Sequence, residues 1–157
     1  MNRRTLSIHI IEMETAAELG ALDEQLLSEA LQAAKNAYTP YSQFNVGAAV
    51  RLSNGSVFTG SNQENAAFPS GLCAERTALF YAQALHPLLA VEAVAVAALP
   101  NGVQTDEPVY PCGACRQVML ESQKRAGKPI RVIMGGALKI QMVERIDDLL
   151  PLAFEEF

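Results

Sequence analysis

Residues 130–143 read IRVIMGGALKIQMV and contain two apolar runs with only a short connection between them. The runs IRVIM and ALKIQMV are rich in aliphatic and β-branched residues, which favour strands. The link GGAL leaves about two to four residues between them, whereas a parallel crossover needs roughly a dozen. We therefore predict that the last two strands of the sheet are antiparallel.

The segments before this hairpin predict a sheet that is covered by helices. Apolar residues recur at helical spacing from Asp23 to Tyr38, and Asn54-Gly55 lies between two strand-like runs, which is typical of a hairpin. Two further helices are predicted in LCAERTALFYAQAL and CGACRQVMLESQKRA, a strand in VEAVAVAAL between them, and a short helix and tail in IDDLLPLAFEEF. The fold class is therefore α/β: a three-layer α/β/α sandwich around a five-stranded mixed sheet.

The length and the N-terminal pattern predict one domain with an extension. A chain of 157 residues suits a single domain. Residues 5–11 alternate weakly and form either an edge strand or a loose extension. We assign residues 1–20 to an N-terminal extension and residues 21–157 to the single domain.

Composition and charge exclude several classes of partner. The net charge is −5 and the isoelectric point is near 5.0, so the chain has no overall field that attracts phosphate backbones or anionic lipid. No apolar run is as long as a membrane span, and the first residues lack a secretory core and cleavage site. We expect a cytoplasmic protein that binds neither nucleic acid nor membrane.

The three cysteines point to a metal site. Cys112 and Cys115 form a Cys-x-x-Cys at a predicted helix start, which alone fits a redox pair, a structural zinc site or a catalytic zinc site. Cys73 also begins a predicted helix, and helix N-termini favour thiolates. His86 lies 13 residues after Cys73, ~20 Å along the same helix, and His9 lies in the extension. Without a fourth ligand, the pattern favours an open zinc site that leaves one position for water.

Glu75 and Arg76 follow the first cysteine and suit two roles beside such a metal. Glu75, two residues after Cys73 on the first helical turn, can act as a general base without occupying a metal position. The alternative is a first-turn glutamate that the helix dipole stabilises. Arg76 can donate to the thiolates and reduce the net charge of −1 that three thiolates leave on Zn²⁺. The alternative for Arg76 is a solvated helix arginine.

Four ordered motifs resemble the small homotetrameric zinc-dependent cytidine deaminases. They are PYSQFNVGAA, GSNQENAAFPSGLCAERTALF, YPCGACRQV and LLPLAF, and the resemblance spans roughly residues 22–157. It implies one Zn²⁺ per chain on Cys73, Cys112 and Cys115, with Glu75 as the proton shuttle. The implied reaction is the hydrolytic deamination of cytidine and deoxycytidine to uridine and deoxyuridine plus ammonia, in pyrimidine salvage.

The resemblance also implies the residues that bind the nucleoside. Asn62 and Glu64 would bind the ribose 3′-hydroxyl, and their spacing places them on one face of an extended segment. Phe44 would pack on the nucleoside. The alternatives are turn-capping polar residues and a core phenylalanine.

Three further contacts are implied for the pyrimidine. The backbone of Ala74 would meet the pyrimidine carbonyl oxygen, and the carbonyl of Tyr110 would meet the exocyclic amine. Tyr110 stands where the family often has a small residue. Phe154 would reach into a neighbouring subunit's site and lie over the pyrimidine, so the resemblance implies a homotetramer with shared sites. The alternative for Phe154 is a residue that docks the tail on its own core.

Three other functions remain to be weighed. Polynucleotide and tRNA deaminases usually carry His where Cys73 stands, and their last strands are parallel, so the GGAL link and the acidic isoelectric point argue against them. A deaminase of another cytosine-containing nucleoside is disfavoured by NQEN at residues 62–65. A catalytically inactive, zinc-stapled interaction module is disfavoured by the presence of Glu75.

Overall fold

The computed structural model describes residues 1–155 and contains a six-stranded mixed sheet. The strands are β1 (Ile11–Met13), β2 (Val46–Leu52), β3 (Val57–Ser61), β4 (Val91–Ala98), β5 (Arg131–Gly135) and β6 (Ile140–Val143), in the order β1-β6-β5-β4-β2-β3. The helices are α1 (Ala21–Ala33), α2 (Ala74–Leu85) and α3 (Gly113–Ala126). A short 3-10 helix, Ile146–Asp148, follows the last strand. The α/β sandwich is confirmed, and residues 156 and 157 of the predicted tail lie outside the described residues.

The alternation of β4 explains the three layers. Val94 and Val96 pack in one buried cluster with residues of α2 and α3, whereas Ala93, Ala95 and Ala97 pack in the other with residues of α1. Successive side chains of a strand point to opposite faces, so one strand supplies both cores. The alanine face leaves room for α1 to lie close to the sheet.

Both hairpin predictions are confirmed. Gly55 adopts a φ of +84° in the turn between β2 and β3, a conformation that glycine tolerates without strain. Strands β5 and β6 pair antiparallel, with Gly135 opposite Ile140, while β4 and β5 pair parallel.

The sheet has one strand more than predicted. Residues Ile11–Met13 of the N-terminal extension pair antiparallel with β6, so that Ile11 lies opposite Met142 and Met13 opposite Ile140. The outer edge of β6 carries backbone donors and acceptors that a neighbouring segment can satisfy, and β1 does so. The weak alternation over residues 5–11 indicates the edge strand but places it several residues too early.

Helix α2 lies very close to β3. A Cβ atom built on Gly60 would lie 2.6 Å from the backbone nitrogen of Ala78 and 2.8 Å from the carbonyl oxygen of Ala74. Only glycine permits this approach. The position of the first turn of α2 therefore depends on the absence of a side chain at Gly60. Among residues 1–155, no helix is both long enough and apolar enough to cross a membrane.

Candidate metal centre and active site

The N-termini of α2 and α3 bring three thiols together. Cys73 is the N-cap of α2 and Cys112 the N-cap of α3, both with extended backbone, and Cys115 lies in the first turn of α3. The Sγ atoms of Cys73 and Cys112 are 3.8 Å apart, those of Cys112 and Cys115 are 3.5 Å apart, and all three lie within 4.8 Å of one another. All three are free cysteines. We call them the cysteine cluster.

The cysteine cluster fits a zinc ion. At a zinc–sulfur distance of about 2.3 Å, the sulfurs of a tetrahedral site lie roughly 3.8 Å apart, which matches the observed spacing. Among the described residues, neither histidine belongs to the cluster: the ring of His86 packs against Phe58, and His9 lies beside Asp148. Three sulfur ligands with one open position are typical of catalytic rather than structural zinc.

Hydrogen bonds within the cysteine cluster separate the acidities of its thiols. A hydrogen bond from the Cys115 thiol, together with one from the Arg76 guanidinium, lowers the pKa of Cys73 to about 5. The same hydrogen bond to Cys73, together with burial and the negative charge of Glu75, raises the pKa of Cys115. Without metal, the cluster therefore favours a thiolate on Cys73 and a protonated Cys115. Metal binding requires thiolates and so releases the remaining protons.

Glu75 is a buried carboxyl group next to the cysteine cluster. Its residue is only 4% exposed, in the first turn of α2. Burial raises its pKa, and the negative charge of Cys73 raises it further. A carboxyl group whose pKa is raised above its ordinary value holds a proton more readily and can both accept and return one, which is what general acid–base catalysis requires.

Arg76 contacts the cluster directly. Its Nη2 atom lies 3.6 Å from the Sγ atom of Cys73, and this contact raises the pKa of the guanidinium. The arginine is therefore not a solvated helix side chain. It places a fixed positive charge against a group of sulfurs that would carry a net negative charge around Zn²⁺.

A cavity of about 310 Å³ opens beside the cysteine cluster. Its lining includes Asn62, Glu64, Phe68, Leu72, Cys73 and Arg76. The segment that carries Asn62 and Glu64 is extended, since Gln63 forms bridges to Tyr38 on one side and Leu72 on the other. The cavity therefore joins a predicted metal ligand to both residues that were assigned to the ribose.

Asn62 and Glu64 also organise the loop that carries Phe44. The Asn62 side chain donates to the Phe44 carbonyl at 2.9 Å and accepts from the Val46 amide at 2.8 Å. The Glu64 carboxylate accepts from the amides of Tyr41 at 2.9 Å and Ser42 at 3.3 Å. A further hydrogen bond from the Ser42 side chain is the main reason that the pKa of Glu64 is lowered. This loop-holding role was missed from the sequence, because it depends on a contact between segments about 20 residues apart.

The other predicted substrate residues lie outside the lining of this cavity. Phe44 is half-buried, and Ala74 is fully buried as the first residue of α2. Tyr110 is 49% exposed, and its hydroxyl donates to Gln141 at 2.6 Å. Phe154 is 63% exposed, and its carbonyl accepts from Gln117 at 2.8 Å.

Phe68 is a cavity residue that the sequence analysis did not identify. It is 74% exposed, and its ring meets that of Tyr41 edge-on at 5.9 Å between centroids. The signal was available in the motif NAAFPSG, where a large aromatic residue stands in a loop of small and polar residues immediately before α2.

Comparison with known proteins gives consistent matches. The family described as the cytidine and deoxycytidylate deaminase zinc-binding region matches residues 21–128. A cytidine deaminase of Halalkalibacterium halodurans is 48% identical over 100 residues, which are 62% of this chain and 70% of that protein. One of Mycobacterium tuberculosis is 38% identical over 132 residues, 82% of this chain and 86% of that protein. The crystal structure of a cytidine deaminase from Burkholderia pseudomallei superposes with a TM-score of 0.69 at 39% identity, covering 83% of this chain and 97% of that one.

Proposed function

The chain belongs to the family of the cytidine and deoxycytidylate deaminase zinc-binding region, and we propose that it hydrolyses cytidine and deoxycytidine to uridine and deoxyuridine plus ammonia. The observation that carries this proposal is the buried carboxyl group of Glu75 beside three convergent thiols at the edge of a cavity. A metal with an open position and an adjacent proton carrier are the two parts that hydrolytic deamination needs.

The cysteine cluster is the proposed zinc site. Cys73, Cys112 and Cys115 would hold one Zn²⁺ per chain, and the two helix N-termini favour their thiolate forms. Zinc supplies, when bound, a Lewis acid that lowers the pKa of a water molecule toward neutrality. Arg76, at 3.6 Å from the Cys73 sulfur, offsets the negative charge of the thiolates.

Glu75 is the proposed proton carrier. It accepts a proton as a water oxygen bonds to C4 of the cytosine ring, and it delivers a proton to N3. It then takes the remaining proton from the oxygen on C4 and delivers it to the exocyclic nitrogen, so that the C4=O bond of uridine forms as the C4–N bond breaks and ammonia leaves. Burial of Glu75 supports both directions of transfer, because it raises the pKa of the carboxyl group.

The nucleoside would occupy the cavity beside the cluster. Asn62 and Glu64 line it and are proposed to bind the ribose 3′-hydroxyl. Phe44 is proposed to pack on the nucleoside, held by the bonds that Asn62 makes to its loop. The backbone of Ala74 and the carbonyl of Tyr110 are proposed to bind the pyrimidine carbonyl oxygen and the exocyclic amine.

A homotetramer with shared sites is the proposed assembly. Phe154 is largely exposed and lies outside the lining of its own chain's cavity, which supports its insertion into a neighbour's site. Stacking of an aromatic ring on a base contributes about 1–3 kcal/mol. The outer part of α2 and the turn after it expose Phe80, Tyr81 and Leu88, an apolar surface that subunit contacts would cover.

The proposed setting is pyrimidine salvage in the cytoplasm, with a nucleoside as substrate rather than a nucleic acid. The acidic net charge supports this choice of substrate, since it does not attract a phosphate backbone.

The test is a substrate panel with purified, zinc-loaded protein. Cytidine, deoxycytidine, adenosine and single-stranded oligonucleotides are incubated in parallel, and deamination is followed by absorbance. We expect turnover of cytidine and deoxycytidine only, with turnover about 10²–10⁴-fold slower in Glu75→Gln under the same conditions. Turnover of adenosine or oligonucleotides alone, or of no substrate, would contradict the proposal.

A further inference from the structure

The N-terminal extension reaches the loop that enters the cysteine cluster. Glu12 lies in β1, before residues 21–128 that the family matches, and it is the direct cross-strand neighbour of Gln141 in β6. Gln141 is only 8% exposed, so its side-chain amide needs protein partners for its hydrogen bonds. The structure supplies one partner for the oxygen of this amide and one for its nitrogen.

Two hydrogen bonds join Tyr110, Gln141 and Glu12 in a chain in which each residue donates to the next. The Tyr110 hydroxyl donates to Oε1 of Gln141 at 2.6 Å, and Nε2 of Gln141 donates to the Glu12 carboxylate at 2.5 Å. A chain of hydrogen bonds that ends on a charged acceptor is stronger than its neutral counterpart, because each bond polarises the next. We call these three residues the Glu12–Gln141–Tyr110 relay.

The relay ends on the backbone next to the metal site. Tyr110 is followed directly by Pro111 and Cys112, and the Pro111 carbonyl accepts from Nε of Arg116 at 2.7 Å. The loop is thus held on one side by α3 and on the other by the Tyr110 hydroxyl. Since Tyr110 is 49% exposed, burial of its ring holds it only in part, and the hydroxyl bond to Gln141 adds a further restraint.

We propose that the Glu12–Gln141–Tyr110 relay is a positioning device by which the N-terminal extension fixes the Tyr110 backbone carbonyl for the substrate's exocyclic amine. This inference rests on the proposed function, in which that carbonyl accepts a hydrogen bond from the amine. A contact of this kind is made in the bound ground state and kept in the transition state, so its loss raises KM and leaves kcat nearly unchanged.

The experiment compares Tyr110→Phe, Glu12→Ala, Glu12→Gln and the double variant Glu12→Ala/Tyr110→Phe with the wild type. Measurements are KM and kcat for cytidine, zinc content, melting temperature, and hydrogen–deuterium exchange of the peptide that covers residues 103–114. Glu14→Ala is the matched control, because it removes the same charge from the same exposed segment two residues further along.

Tyr110→Phe and Glu12→Ala should each raise KM about two- to tenfold, the effect of one lost hydrogen bond, with kcat and zinc content close to wild type. Exchange in the 103–114 peptide should accelerate in both. The double variant should be no worse than the single ones, since either change breaks the same chain. Glu12→Gln keeps an acceptor oxygen and should recover part of the loss, and Glu14→Ala should behave as wild type.

If KM and the hydrogen–deuterium exchange of the 103–114 peptide are unchanged in both single variants, the proposed positioning role of the relay is wrong. Additive effects in the double variant, a Glu12→Gln variant as impaired as Glu12→Ala, or the same change in Glu14→Ala would contradict it as well. If the wild-type protein leaves cytidine intact, the proposed function fails, whereas the exchange rates still decide whether Glu12 and Tyr110 hold the loop.

Discussion

Replacing Gly60 with alanine should damage the active site more than it damages the fold. The added Cβ would lie 2.6 Å from the Ala78 nitrogen, 2.8 Å from the Ala74 oxygen and 3.0 Å from the Thr77 Cβ. Two of these atoms belong to the helix backbone, which cannot move as a single side chain does. Ordinary contact begins at 3.4 Å, so α2 must move away from β3 by about 0.8 Å.

This displacement falls on the catalytic turn. Ala74 stands between Cys73 and Glu75, and all three belong to the cap and first turn of α2. A misplacement on the order of 1 Å can cost about 100-fold in rate. We expect kcat/KM of Gly60→Ala for cytidine to fall about 10- to 100-fold. The overpacking itself should cost about 1–3 kcal/mol in the free energy of unfolding.

The assay measures kcat/KM, zinc content and the free energy of unfolding for Gly60→Ala and a matched glycine substitution, Gly55→Ala. A Cβ on Gly55 meets nothing within 4 Å, but its φ of +84° is unfavourable for alanine. Gly55→Ala should therefore lose about 1 kcal/mol of stability with kcat/KM unchanged. Wild-type kcat/KM in Gly60→Ala, or a loss that only follows the unfolded fraction, would refute the link between this packing contact and the site.

Four further predictions follow from the site. Glu75→Gln should keep zinc and the fold but lower kcat about 10²–10⁴-fold, and near-normal turnover would remove Glu75 from proton transfer. Arg76→Ala should lower kcat/KM about 10–100-fold by leaving the thiolate charge unbalanced, with partial recovery in Arg76→Lys; wild-type kinetics in Arg76→Ala would contradict this role. Phe154→Ala should raise KM with zinc content unchanged, and a fully active monomer in sedimentation at assay concentration would exclude shared sites. Glu64 has a pKa lowered from 4.5, so its ionised form stabilises the folded state above that pH and the stabilisation is lost as pH falls through the lower, folded value. The melting temperature of wild type should exceed that of Glu64→Gln near neutral pH and converge with it in acid, and a gap that widens in acid would reverse the assignment.

Much of the fold follows from local sequence. The short GGAL link leaves only an antiparallel pairing for β5 and β6, and the Asn54-Gly55 turn provides the positive φ that a tight hairpin needs. The meeting of Cys73 with Cys112 and Cys115 was also predictable, because each group begins a helix and such ends favour thiolates.

The features that sequence reasoning missed depend on distant contacts. The pairing of β1 with β6 brings Glu12 next to Gln141, which is 129 positions away in the sequence. A strand of three residues is too short for its alternation of apolar and polar residues to predict which strand it pairs with. The bonds from Asn62 and Glu64 to the Phe44 loop likewise require the folded bridge between two segments. Side-chain type indicated polar contacts at these positions but did not specify the partners.

The most direct test of the account is the reaction of zinc-loaded protein with cytidine in water enriched in oxygen-18. Hydrolytic deamination with Glu75 as proton carrier predicts uridine that carries a single oxygen-18 atom at C4, one ammonia released for each uridine formed, and formation of both products about 10²–10⁴-fold more slowly by Glu75→Gln. Uridine without the label, ammonia out of proportion to uridine, or equal conversion by Glu75→Gln would contradict it.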